Sequence, residues 1–316
     1  MHILVTGASG YVGQHLLPLL LPKAEHIYAC NTSGSGNLPN SSKITWHQLA
    51  DQTSDQSISA LLNNVDCIIH LAGRAHQMQD TSSNPLADFR RVNCHFTQRL
   101  AQLAVKAQVK RFIYISSIKA MGEQTHDQPF SIAMQPVPTD PYGQSKWEAE
   151  QALSKACHDK IMDWVIIRPP LIYGPAAKGN LATLMKVVYK GLPLPLGRIN
   201  NQRDMVSIYN LCDLIITCSH HPKASKQTFL VSDNQAISTP ALINYYAELS
   251  GTTARLVPIP LWLLVAGAKV LGRSGMIERL TSSLTIDIQH TQHTLDWQPP
   301  YTVDAAFLKM KQDLSC

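Results

Sequence analysis

A tyrosine and a lysine stand four residues apart in the stretch DPYGQSKWEAE, residues 140–150. On a helix, Tyr142 and Lys146 lie about 40° apart on one face. A phenol beside an ammonium is either ordinary surface or a proton-transfer pair, and its neighbours decide which. Upstream, Ser116 and Ser117 close the strand-like run RFIYISS, with a 25-residue gap from Ser117 to Tyr142. If the helix bearing Tyr142 follows that strand's loop, Ser117, Tyr142 and Lys146 converge outside the carboxyl ends of the strands, where open α/β sheets bind ligands. A free tyrosine titrates near pH ~10, so serving as a base at pH ~7 costs about three pK units, or ~4 kcal/mol. A lysine and a cationic hydride acceptor both favour the phenolate, and a serine can hydrogen-bond the phenol and a substrate oxygen together. The chemistry is alcohol–ketone interconversion: the phenolate takes the alcohol proton as hydride leaves carbon, or returns it when a ketone is reduced.

Such a reaction needs a hydride carrier, and VTGASGYVG supplies a place for one. Gly7, Gly10 and Gly13 follow the first apolar run, HILVT, and open a helical pattern. Glycines at this spacing allow a tight turn, close approach of a pyrophosphate and close helix–strand packing, and the helix N-terminus favours the phosphate charge. The second strand ends in Asn31, Thr32 and Ser33, with neither an acid for a ribose hydroxyl nor an arginine for a 2′-phosphate. NAD and NADP both remain open on those residues.

The elements that must position these groups alternate in type. Apolar runs at 2–6, 26–30, 43–47, 67–72, 111–117 and 164–169 are separated by helical periodicity at 11–21, 57–64, 86–108 and 145–158. This predicts an α/β fold, a Rossmann-type doubly wound parallel sheet with a smaller, irregular α/β substrate-binding lobe at the C-terminal side. The expected division assigns 1–168, with parts of about 203–233, to dinucleotide binding, and about 169–202 and 234–316 to the lobe. The run QTFLVSD, 227–233, is expected to return to the main sheet. Pro18 should bend or shorten the first helix.

Composition narrows the function. Among 316 residues the net charge is +5 without a basic run, which gives nucleic-acid binding little support. The seven cysteines (30, 67, 94, 157, 212, 218, 316) are scattered and never spaced as CxxC, which suits free thiols in a reducing cytosol rather than disulfides or zinc. No secretory signal or metal-binding histidine spacing is present, and His290 to His293 are expected in solvent. The most apolar later stretch, PLWLLVAGAKVLG (260–272), is too short to span a bilayer. It is expected to form a buried or groove-lining helix; the alternatives are a membrane-surface or a subunit contact.

At this point the chain resembles the extended short-chain dehydrogenase/reductases, specifically the nucleotide-sugar epimerase/dehydratase group. The resemblance runs over TGASGYVG, VDCIIHLAG, RRVNC, YISSIKAMGE, DPYGQSKWEAE, IIRPPLIYGP, RDMVSIYNLCD and LDWQPPYTVDAAF. It implies Ser117, Tyr142 and Lys146 as the catalytic set, with Lys146 also holding the nicotinamide ribose. It implies cofactor contacts from Gly7, Gly10, Tyr11, Val12 and Gly13, from Asn31, Thr32 and Ser33, from Leu71, Ala72 and Gly73, and from Asn93, Ser116 and Pro169. Arg203 would grip a nucleotide diphosphate, the blander alternative being an ion pair with Asp204. Asp213 would be structural. Where many relatives carry a substrate-binding asparagine this chain has Leu171, and Asn180 with Lys178 is the replacement contact. Arg74 and His76 either touch phosphate or sugar or lie in an exposed loop.

The resemblance further implies a cytoplasmic enzyme, often dimeric through two helices of the cofactor domain, that uses NAD in preference to NADP. Its substrate would be a UDP-hexose or UDP-N-acetylhexosamine handled at carbon 4, by 4-epimerisation or, alternatively, by reduction of a UDP-4-keto-6-deoxy-N-acetylhexosamine. A 4,6-dehydratase is disfavoured, because its Asp-Glu pair after the serine is replaced by Ile118 and Lys119. A non-catalytic dinucleotide-binding protein would have lost Tyr142 or Lys146, and both are present.

Overall fold

Seven parallel strands form the frame, in the order β3-β2-β1-β4-β5-β6-β9. They are β1 (His2–Thr6), β2 (His26–Asn31), β3 (Ile44–Gln48), β4 (Cys67–His70), β5 (Arg111–Ile115), β6 (Asp163–Arg168) and β9 (Gln227–Leu230). A separate parallel pair joins β7 (Leu171–Tyr173) to β8 (Met205–Ser207). This is a computed structural model, and it describes residues 1–36, 41–74, 84–177, 179–270, 272 and 274–315. His76 and Lys178 therefore lie outside the described residues. Every run expected as a strand forms one, and 227–230 does return to the main sheet, beside β6.

Alternation along each strand sends side chains to two faces. Ile3, Val5, Ile113, Val165 and Ile167 pack with Leu16 and Leu17 of α1 (Tyr11–Leu20) and with Leu211, Leu214 and Ile215 of α7 (Ile208–His220). Leu4, Ile68, Phe112 and Tyr114 face the other way. They meet α2 (Asp55–Leu62), α4 (Phe96–Lys106) and α5 (Pro141–Ala156). Both faces are covered, as an all-parallel sheet requires. Pro18 sits on the exposed side of α1, where the Gln14 carbonyl it leaves unbonded can be hydrated, and the helix continues to Leu20. One long helical run in the sequence, 86–108, is three pieces: α3 (Pro85–Phe89), a π-turn at Arg90–His95, and α4.

A third core lies beyond the sheet's carboxyl edge. It draws on Leu181 and Val188 of α6 (Asn180–Tyr189) and Leu242, Ile243 and Tyr246 of α8 (Thr239–Leu249). Phe307 and Met310 of α12 (Val303–Ser315) complete it. The segment 284–297 packs instead with the first sheet core, through Leu284, Ile286, Ile288, Leu295 and Trp297. Trp297 donates its indole N–H to Asp213 Oδ1 at 2.7 Å, which pins that segment to α7.

Two expectations are corrected here. His290, on α11 (Gln289–Leu295), is half-buried, stacked on Phe229 at 5.7 Å and bonded to Gln227, because α11 lies against β9; His293 is the exposed one. The apolar stretch after 260 does form a helix, α9 (Leu261–Val270), but not a buried one. Only Ala268 is buried, while Trp262 is 69% and Val270 87% exposed. The reason is geometric: α9 and α10 (Ser274–Thr281) lie at the margin of the lobe, and Leu264 alone of the helix's large side chains packs against its core.

Candidate active site

The glycine loop takes the shape its spacing implies. Gly7 has φ +65°, and a Cβ there would stand 2.8 Å from Ala72 N, so the first turn rests directly on the segment after β4. A Cβ at Gly13 would overlap Ala8 O, with Gly7 O at 2.6 Å, so α1 closes onto its own loop. The N-terminus of α1 has no side-chain cap and no acid in its first turn, which leaves its positive end to an anion. These residues fit a dinucleotide pyrophosphate, with Tyr11 and Val12 in the first turn of the helix. Asn31 is buried and occupied within its own loop, accepting from Ser33 N and Gly34 N and donating to Ser35 O. Thr32 and Ser33 are exposed beside it.

The turn after β4 is held by a histidine that carries no motif of its own. His70 is fully buried between Thr6 Oγ1 at 2.7 Å and Thr97 Oγ1 at 2.9 Å, and burial pushes its pKa down to about 3. Thr97 donates to Asn93 O and Thr6 accepts from Ala72 N, so the network assigns a neutral ring protonated on Nε2. This fixes Leu71, Ala72 and Gly73 relative to β1. Asn93, carried by the π-turn, is completely buried and clamps Arg74, accepting from its N–H at 2.8 Å and donating to its carbonyl. Such a turn rotates a side chain off the regular helical face. Asn93 also donates to Ser145 Oγ, whose hydroxyl bonds Tyr142 O. Arg74 is not in a free loop: it pairs with Asp88 and lies 5.2 Å from the Phe89 ring, and Phe89 meets Tyr142 edge-on at 5.8 Å.

The helix bearing the tyrosine starts as its residues dictate. Asp140 caps α5 by accepting from Gly143 N at 2.5 Å, and Pro141 occupies the first turn. Asp140 also pairs with Lys119, and Lys119 with Glu123 at 2.6 Å, which ties the helix start to the turn after Ser117. That approach requires Gly143, because a Cβ there would overlap Lys119 O, with the carbonyl carbon 2.9 Å away. Ser117 is the N-cap of that turn, Ile118–Ala120, and Ile118 N donates to Pro169 O at 2.9 Å. Ser117, Tyr142 and Pro169 are thereby gathered at the ends of β5 and β6.

Burial pushes Tyr142 up to about 12, Ser117 pulls it down by hydrogen bonding, and Asp140 pushes it further up. Lys146 is 4% exposed; burial brings it down to about 7, with Glu150 opposing. Its ammonium donates to Ile115 O at 2.7 Å, faces the Tyr114 ring at 4.2 Å, and would lie 3.7 Å from a Cβ on Gly73. Lys146 makes no hydrogen bond to Tyr142. Ser116, expected at the cofactor, directs its hydroxyl instead to Glu150, which is 1% exposed and forks onto Arg168 with a shortest contact of 2.6 Å. Gly143, Glu150, Arg168, His70 and Phe89 are not among the residues expected at the site. Only Gly143 carried a signal, a glycine inside the first turn of a helix.

Arg203 sits between the lobe and the loop after β5. It bonds Arg279 O, Ser282 O and Ser282 Oγ through Nη1, and burial lowers its pKa. Asp204 is not its partner, since that carboxylate accepts from Ile286 N at 2.8 Å. Among the described residues Arg203 has carbonyl and hydroxyl partners but no ion pair. Asn180 begins α6, on the lobe side, and Leu171 is 41% exposed at the start of β7.

The chain matches the NAD dependent epimerase/dehydratase family over residues 3–232. It is 41% identical over 312 residues, 98% of this chain and 94% of the relative, to a UDP-glucose 4-epimerase from Vibrio cholerae. Its fold superposes on a UDP-glucose 4-epimerase from Thermotoga maritima solved with UDP-glucose. That match has a TM-score of 0.80 at 18% identity and covers 100% of this chain and 99% of that one. A UDP-glucuronic acid 4-epimerase from Bacillus cereus, solved with NAD, gives 0.78 at 21% identity over 99% and 96% of the two chains.

Proposed function

The chain belongs to the NAD dependent epimerase/dehydratase family, and from that premise we propose that it is a UDP-sugar 4-epimerase acting on a UDP-hexose or UDP-N-acetylhexosamine. The observation that carries this reading is the end-to-end 41% identity to a UDP-glucose 4-epimerase. In support, Tyr142 is hydrogen-bonded to Ser117 at the carboxyl edge of the sheet, and Lys146 follows one helical turn on, beside Gly73. When bound, NAD supplies a hydride acceptor that takes hydrogen from carbon 4 and later gives it back.

The chain's own groups do the rest. Ser117 holds the 4-oxygen and Tyr142 Oη removes its proton as the bond to hydrogen breaks. The phenol, raised to about 12 by burial in the free protein, needs positive charge nearby to serve at neutral pH. Lys146 contributes that charge, and from its position beside Gly73 it would also hold the ribose of a bound nicotinamide. Arg203 retains the diphosphate while the 4-keto sugar turns its other face to the ring. Tyr142 then returns the proton to the oxygen of the inverted centre. Two copies associating through helices of the cofactor domain complete the proposal.

Incubating the purified protein, as isolated, with UDP-glucose and with UDP-N-acetylglucosamine tests it. The expected result is formation of the 4-epimer with no cofactor added. Absence of conversion, together with NAD(P)H-dependent consumption of a UDP-4-keto sugar, would replace the epimerase reading with a reductase.

A further inference from the structure

One helix inverts the usual rule of burial. Leu261, Trp262, Leu263, Val265 and Val270 of α9 are 48%, 69%, 44%, 47% and 87% exposed. Its inward edge is Leu264 and Ala268, four residues apart, which leaves Trp262, Val265 and Lys269 on the outward side. The chain leading into the helix extends the surface. Residues 194–197 pair with 255–257 through Leu194 N to Arg255 O, Val257 N to Leu194 O and Gly197 N to Val257 O. Leu192 and Val257 there are 49% and 39% exposed. Single exposed apolar residues need no explanation, but a continuous group does.

Charge identifies what covers it. Segments 186–198 and 251–279 hold seven of the chain's 27 Lys and Arg and one of its 22 acids, Glu278, leaving 20 and 21 elsewhere. The whole net positive charge of the sequence therefore falls within these two segments. Lys186, Lys190, Arg198, Arg255, Lys269 and Arg279 are all exposed, and none is ion-paired among the described residues. A second copy meeting this face about a two-fold axis would bring the same cations together, which opposes association. An anionic lipid surface complements both features, taking the apolar side chains at the acyl boundary and the cations at the headgroups. Trp262 and Lys269, two turns apart on the same side of α9, suit that boundary.

We propose that α9 and the paired segments before it form a peripheral attachment surface for an anionic phospholipid bilayer. No helix among the described residues is long and apolar enough to cross a membrane, so the contact lies in the interface plane. It is independent of the catalytic reading.

Sedimentation with vesicles tests the proposal on the intact protein. Phosphatidylcholine vesicles containing phosphatidylglycerol should carry the protein down, while phosphatidylcholine alone should not. Trp262→Glu should weaken binding at least tenfold, and Lys269→Gln about fivefold, the factor for one lysine near an anionic surface. Both variants should keep wild-type circular dichroism and turnover of soluble UDP-sugar; if Trp262→Glu fails to fold, Lys269→Gln carries the test. Failure to bind, equal binding to both vesicles, or indifference to these substitutions overturns it. A dimer that Trp262→Glu dissociates, without vesicle binding, would give this face to a second copy instead.

Discussion

Two helices of this protein break the hydrophobic rule in opposite senses. α5 buries ions: Lys146 and Glu150, one turn apart, are 4% and 1% exposed. α9 exposes hydrocarbon, with Trp262 and Val270 open to solvent. Burying a charge costs several kcal/mol unless partners compensate, and α5 assembles them, with Arg168 and Ser116 on Glu150 and Ile115 O and the Tyr114 ring on Lys146. The outward side of α9 finds no such cover among the described residues. The contrast separates two kinds of unfavourable placement: on α5 it is offset internally by partners that orient a dry group, and on α9 it is left uncovered at the surface.

The contrast can be broken at its strongest point first. Tyr142→Phe removes the proposed proton acceptor without touching the frame, so turnover should fall by about 10³-fold or more, with NADH binding by fluorescence titration unchanged. Retained turnover would return α5 to ordinary structure. Glu150→Gln leaves Arg168 buried without its carboxylate and should cost about 3 kcal/mol in urea unfolding. It also withdraws the charge that holds Lys146 up, moving any Lys146-dependent limb of the pH–rate profile to lower pH; an unmoved limb would show that Glu150 serves stability alone.

Gly143→Ala forces α5 away from Lys119 O and hence Tyr142 from Ser117. A shift of that size should lower kcat about 10²-fold while costing about 1–3 kcal/mol of stability. Near-wild-type kcat would show that the turn moves with the helix.

Lys146→Met sharpens the comparison by its sign. The folded pKa of about 7 lies below the unfolded value, so the folded state binds fewer protons between the two. Lys146 therefore costs stability most fully below pH 7, and the cost fades as pH climbs toward the unfolded value. The methionine variant, inactive, should be more stable by about 1–2 kcal/mol at pH 6 and by almost nothing at pH 10. Equal stability at both would mean the charge is already compensated in place. The smallest effect belongs to α9: Trp262→Gln should change unfolding free energy by less than about 0.5 kcal/mol, because the side chain touches little of the lobe. A larger loss would make α9 part of the core.

Much of the sheet half was legible because its signals are local. Alternating apolar runs and the spacing of Gly7, Gly10 and Gly13 each depend on a few neighbouring residues, and each appears within a residue or two of where pattern predicts it, whereas α5 begins four residues before its helical periodicity does. The π-turn at Arg90–His95 was not legible, since its residues read as continuous helix and only the pull of Asn93 toward Arg74 and Ser145 sets it apart. Hydrophobicity made 260–272 look like core, because it measures what a helix would gain by burial and says nothing of whether the lobe offers a surface to bury it against.

The sequence by itself determined the order of strands and helices, the glycine turn, the tyrosine–lysine face of α5 and the types of group available for proton transfer, all through interactions a few residues long. Tertiary structure alone decided which of those groups meet. Gly143 lets α5 close on the Ser117 turn, Glu150 on α5 finds Arg168 on β6, His70 ties β1 to β4 through Thr6, and Arg203 settles on the end of α10 rather than on Asp204. These contacts join residues from 18 to 79 positions apart, and only the packing of the sheet brings them within reach.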